Sequence, residues 1–134
     1  SEILLSNNIN YQEVVIDNGI IYTNNISTLN KYMSNLTKQI FTEEINKILE
    51  IMPNIPEFTL KIRKMKTRWG VCNYIKKTVT LNSELIKYKR NIIDYVIIHE
   101  FSHFTYHDHS TSFWNLVKKY YPDYKKARKE LREE

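Results

Sequence analysis

Asn91-Ile92-Ile93-Asp94-Tyr95-Val96-Ile97-Ile98-His99-Glu100-Phe101-Ser102-His103 begins as a nearly continuous apolar run and closes on two histidines and a glutamate. Ile92, Ile93, Val96, Ile97, Phe101 and Phe104 recur at three- and four-residue steps, which predicts a helix with a buried stripe. Asn91 with Asp94 three residues on resembles a capping box at its start. Residues four apart share one helix face, so both imidazoles can reach one metal ion at about 2.0–2.1 Å. Glu100 lies next to that face, where a carboxylate can take a proton from water and pass it to a leaving group. All four histidines of the chain fall between His99 and His109. At this composition the H-E-x-x-H spacing arises by chance on the order of once in a hundred such chains. Buried polar groups without partners cost about 1–3 kcal/mol each, and a metal would give this cluster its reason.

A catalytic zinc takes three protein ligands and leaves a position for water. The third candidates are His107, His109 and downstream carboxylates such as Asp123. On a straight helix His107 would stand roughly 12 Å along the axis from His99, too far to join both earlier histidines. His109 needs a chain reversal. Asp108 tolerates the required backbone, and Ser110 to Ser112 can cap a new helix at once. This favours His109 as ligand and leaves His107 facing solvent or substrate.

Beyond this stretch, Phe113, Trp114, Leu116 and Val117 fit the helix after Ser112. Pro122 suits the first turn of a terminal one. Upstream, Val14-Val15-Ile16 and Ile20-Ile21-Tyr22 flank Asp17-Asn18-Gly19, a hairpin signal. Leu29, Met33, Leu36, Ile40, Ile45, Ile48 and Leu49 predict a long amphipathic helix from Ser27 to about Ile51, stopped by Pro53. Phe58, Leu60 and Ile62 alternate with Thr59, Lys61 and Arg63 as in a half-buried strand. Trp69 to Asn73 and Thr78 to Leu81 read as two more. Strands precede most helices, so the class is α+β. The 134 residues suit one domain, 1–134, whose first ten residues are weakly specified and expected to fray.

The net charge of +5 favours acidic partners, although lysine supplies most of it and a solvated lysine surface explains it as well. Lys61 and Arg63 share one strand face, and no nucleic-acid motif stands beside them. No apolar run approaches the roughly 20 residues that span a bilayer, which speaks against a membrane partner. The lone cysteine, Cys72, excludes an internal disulfide and a four-cysteine zinc site. It reads as a small buried apolar residue. No leader pattern is visible, and the cytoplasm is the expected compartment.

Arg68-Trp69-Gly70-Val71-Cys72, Leu81-Asn82, the stretch from Ile93 to His103, Asp108-His109-Ser110, Phe113-Trp114 and Pro122-Asp123-Tyr124 stand in one order with consistent spacing. Together they resemble the YgjP-like family of zincin-type metal-dependent hydrolases, or metallopeptidases, from Arg68 to Tyr124. The resemblance implies a zincin-like α+β fold, a small antiparallel or mixed sheet on helices, with H-E-x-x-H on a central helix. It implies Zn2+ on His99, His103 and His109, and Glu100 as catalytic acid and base. The family pattern has Asn where Asp108 stands and Ser where Val71 stands, so that serine's hydroxyl plays no part here. Metzincins share the six-residue step to a third histidine. They carry glycine where Tyr106 stands and a downstream methionine turn, and neither occurs here. SprT-like proteases are more distant by pattern.

The leading expectation is a zinc hydrolase whose metal-bound water is activated by Glu100, most simply a metallopeptidase. Arg68 is the candidate substrate-binding residue, able to meet an anionic group or a developing oxyanion. Two alternatives stay open. One is a metal-dependent nucleoside triphosphate hydrolase. The other is a non-catalytic zinc module binding nucleic acid or protein, against which the intact Glu100 argues.

Overall fold

A computed structural model describes residues 2–5, 15–17, 20–23 and 26–133, with side chains from 29 onward. The chain divides into two units, Ser1–Gln39 and Ile40–Glu134. In the first, β1 (Glu2–Leu5) pairs in parallel with β3 (Ile20–Thr23), and β2 (Val15–Asp17) pairs antiparallel with β3. The pairing of Asp17 with Ile20 matches the hairpin expected there. Val14 and the turn residues Asn18 and Gly19 lie outside the described residues. Of the first ten residues, Glu2–Leu5 form a strand and the rest also lie outside.

Helix α1 (Ile26–Leu49) ends close to its expected stop, and Asn54 beyond it takes a left-handed φ of 64°. Its buried line in the second unit differs from the predicted stripe. Phe41, Ile45 and Ile48 are buried, together with Met52 beyond the helix end, whereas Leu49 is 39% exposed. Steps of four and three keep 41, 45 and 48 on one face, and position 49 turns about 100° away from 48.

Three strands form the second unit's sheet: β4 (Thr59–Arg63), β5 (Gly70–Asn73) and β6 (Thr78–Asn82), in the order β4-β6-β5. β4 runs parallel to β6 and β5 antiparallel to it, a mixed sheet. In β4, Leu60 and Ile62 are half-buried while Thr59, Lys61 and Arg63 are exposed, as the alternation predicts. β6 is buried over Val79–Asn82, as a central strand must be. Buried Asn82 finishes it. Its Nδ2 donates to the carbonyls of Met65 (2.9 Å) and Arg68 (2.8 Å), and its Oδ1 accepts from Glu84 N–H (3.0 Å), capping a 3-10 helix over Ser83–Lys87.

Helix α2 (Arg90–Ser102) is buried from Ile92 onward except at the half-buried Asp94 and His99, and packs against β5, β6, α3 (Thr111–Tyr120) and α4 (Tyr124–Glu130). A helix buried over most of its circumference belongs in the middle of a fold. The expected capping box is not formed. The N-cap is Lys89, without a side-chain cap bond, so Asn91 already lies inside the helix. Asp94 turns to α1, where Lys47 Nζ donates to it at 2.9 Å and to Glu44 at 2.6 Å. The Ser110 cap of α3 is formed, its Oγ accepting from Phe113 N–H. Pro122 stands two residues before α4, whose N-cap is Asp123. The architecture is the expected α+β class. No helix among the described residues is long and apolar enough to cross a membrane.

Candidate metal centre

His99 lies in the last turn of α2 and His103 is its C-cap, still with right-handed helical backbone. The chain then reverses. Asp108 Oδ1 accepts from Ser110 N–H at 3.2 Å, the short-range turn for which an aspartate is suited, and α3 starts at once. This returns His109 to the other two. Its Nε2 lies 3.2 Å from Nε2 of His99 and 3.2 Å from Nε2 of His103.

The donors of this cluster fit a cation. Nδ1 of His103 lies 2.9 Å from the Tyr106 carbonyl, which can only accept, so that nitrogen carries the proton and Nε2 carries a lone pair. Nδ1 of His99 lies 3.2 Å from the Tyr95 hydroxyl, which donates its own proton to Glu133 at 2.8 Å. Nε2 of His99 is therefore also a lone pair. His109 Nε2 has at most one proton and faces two acceptors. Tetrahedral ligands about 2.0–2.1 Å from an ion are separated by roughly 3.3 Å, close to the spacing seen. Burial lowers His99 to about 3, assisted by His103, His109 and Arg128, and lowers His103 as well. Both rings are thus neutral, the form that binds metals. Phe113 stacks on His103 with centroids 4.4 Å apart, and Trp114 lies nearly parallel to His109 at 5.9 Å.

Glu100, 5% exposed, projects toward β5. The bond from Asn82 N–H to the Trp69 carbonyl (2.9 Å) sets the phase of the β5–β6 ladder, so Gly70 and Cys72 turn their backbone groups away from β6. The Cys72 N–H faces the Glu100 carboxyl and favours its ionised form. Gly70 leaves the space that carboxyl occupies: a Cβ there would lie 2.8 Å from Glu100 Cγ and 2.9 Å from Oε2. Burial first, and then Glu133, raise Glu100 to about 8, with Arg68 and the Cys72 bond opposing. Burial and Glu100 also push the Cys72 thiol up to about 12, as expected of a packing residue and not a nucleophile.

A cavity of about 710 Å³ joins these groups, lined by Arg68, Gly70, Glu100, the three clustered histidines, Trp114 and Glu133 among others. The exposed Arg68 has its carbonyl pinned by Asn82 and no salt-bridge partner among the described residues. His107 lies outside the cluster and stacks on Tyr74, with centroids 3.4 Å apart and planes 3° from parallel. Asp123 is outside it too. Tyr95, Gly70 and Glu133 were not singled out by sequence. Tyr95 alone carried a usable signal, being four residues before His99 on one helix face.

The YgjP-like family, described as a metallopeptidase domain, matches residues 6–134, well beyond the Arg68–Tyr124 stretch that carried the resemblance. Among solved structures, the metallopeptidase zymogen jannalysin of Methanocaldococcus jannaschii superposes with a TM-score of 0.60 at 21% identity, covering 68% of this chain and 92% of that one. The zymogen abylysin of Pyrococcus abyssi gives 0.56 at 23%, covering 71% and 90%. These two share the fold. No curated protein matches the chain.

Proposed function

As the chain belongs to the YgjP-like metallopeptidase family, we propose that it is a zinc peptidase held on His99, His103 and His109 with Glu100 as its acid and base. The observation that carries this is the meeting of three Nε2 atoms beside a buried carboxyl on one cavity. Zinc, when bound, supplies the Lewis acid that polarises a peptide carbonyl and acidifies water. Glu100 accepts the proton of the attacking water and delivers it to the leaving amine nitrogen. The Cys72 N–H and the gap at Gly70 fix the carboxyl during both transfers. Arg68, rigid in its backbone and open in its side chain, meets the substrate from the cavity rim.

The test is metal content by elemental mass spectrometry for wild type, His109→Ala and His107→Ala, then turnover of a fluorogenic peptide library by Glu100→Gln. About one zinc in wild type, lost with His109 and kept without His107, is expected. Glu100→Gln should keep zinc and lose at least about 100-fold in turnover. Wild type that takes up no added zinc sinks the proposal.

A further inference from the structure

The end of α4 is a turn with a purpose visible in its bonds. Glu133 N–H donates to the Arg128 carbonyl (2.8 Å) and Arg132 N–H to that of Lys129 (3.0 Å), while Arg132 takes a φ of 56°. These are the paired bonds of a Schellman motif, with arginine where glycine is usual. A left-handed backbone disfavours a side-chain-bearing residue, so something must hold it there. Trp69 Nε1 donates to the Leu131 carbonyl at 3.1 Å and anchors the turn to the segment before β5. Glu133 is thereby aimed back at α2, where it accepts from the fully buried Tyr95 hydroxyl. Arg128 Nε lies 3.6 Å from the same carboxylate.

We infer that Glu133 and Tyr95 form a hydrogen-bonded relay that orients His99 and strengthens it as a metal ligand. The inference rests on the three-histidine reading above. The order of donation is fixed by chemistry: a carboxylate accepts, the tyrosine donates to it, and the tyrosine oxygen then accepts from His99 Nδ1–H. Ligand histidines commonly give their second N–H to a carboxylate or carbonyl, and such partners tune basicity and ring orientation. His103 does this with the Tyr106 carbonyl. His99 does it through a phenol inserted between ring and carboxylate, which reaches across 38 residues of sequence from α2 to the chain segment after α4. Tyr95 and Glu133 are positioning residues. The relay makes the turn after α4 part of the metal centre, although it offers no ligand.

The experiment measures zinc dissociation constants by competition with a chromophoric chelator, and the cobalt(II) absorption spectrum, for wild type, Tyr95→Phe, Glu133→Gln and the double variant. Tyr95→Phe should bind zinc about 10–100-fold more weakly with an altered cobalt spectrum. Glu133→Gln, which still accepts a hydrogen bond, should lose less. The double variant should be no weaker than Tyr95→Phe, because both act along one path. Purely structural effects would lower melting of the metal-free protein without this pattern. Wild-type affinity and spectrum in all three variants overturn the inference. Wild type that binds no metal overturns the reading beneath it instead. If Tyr95→Phe fails to fold, Glu133→Ala with wild-type affinity and spectrum overturns the relay alone.

Discussion

Replacing Gly70 with alanine adds one methyl group where none fits. The new Cβ would lie 2.8 Å from Cγ, 2.9 Å from Oε2 and 3.1 Å from Cδ of Glu100. Easing 2.8 Å to an ordinary 3.4 Å contact asks for roughly 0.6 Å of movement. Glu100 is buried and β5 is tied to β6, so neither side yields freely. Overpacking of this kind costs about 1–3 kcal/mol. That loss lowers the melting temperature by about 4–12 °C for a chain of this length. Displacing a catalytic group by about 1 Å costs on the order of 100-fold in rate, so turnover should fall by tens of fold. Scanning calorimetry and turnover of a fluorogenic peptide read the two effects separately. The decisive arm is a cycle with Glu100→Ala. With that side chain gone, Gly70→Ala should cost almost nothing in stability, because the clash has lost its partner. An alanine variant that melts and turns over like wild type, or one equally damaged on the Glu100→Ala background, refutes the reasoning.

Two further outcomes concern the scaffold. Asp94 is raised to about 6, by burial first and then by its neighbour Glu44, so the folded state binds this proton more tightly than the unfolded chain. Its contribution is therefore present at low pH and fades as pH rises from 3.8 through about 6, by at most roughly 3 kcal/mol (2.2 pH units at 1.36 kcal/mol each). Glu44 is lowered and acts in the opposite sense. Asp94→Asn should flatten the fall in melting temperature over that window, and an unchanged slope would show the pair is not its source. Asn82→Ala removes the partner of two carbonyls and one N–H and should lower stability by about 2–4 kcal/mol. In urea this appears as a lower midpoint at constant slope, whereas an unmoved midpoint would mean the loop carrying Arg68 is held otherwise.

The parts of the fold visible in sequence are those with a short period. The alternation in β4, the hairpin pairing of Asp17 with Ile20 and the four-residue step from His99 to His103 all depend on neighbours a few residues away. The return of His109 was also readable, because Asp108 and Ser110 carry local turn and cap chemistry. What escaped is non-local. Asp94 has good cap spacing from Asn91, yet Lys47, 47 residues upstream, claims it. The parallel pairing of β4 with β6 leaves no mark on either strand alone. Gly70 looks like any glycine until a glutamate thirty positions later occupies the space over its Cα. The relay through Tyr95 depends on Glu133, whose sequence neighbours signal only a charged helix end.

His99 and His109 stand ten positions apart, and His103 falls between them. The proposed ligand set is thus a single short word in the chain, not a sentence assembled from distant clauses. Closing so small a loop takes little entropy, and each doubling of loop length adds only about 0.6 kcal/mol. His99 and His103 are half-buried and His109 is exposed, so the three side chains stand at the edge of the core. Drift in the outer strands can reshape what approaches the cavity while the ligand word is inherited intact.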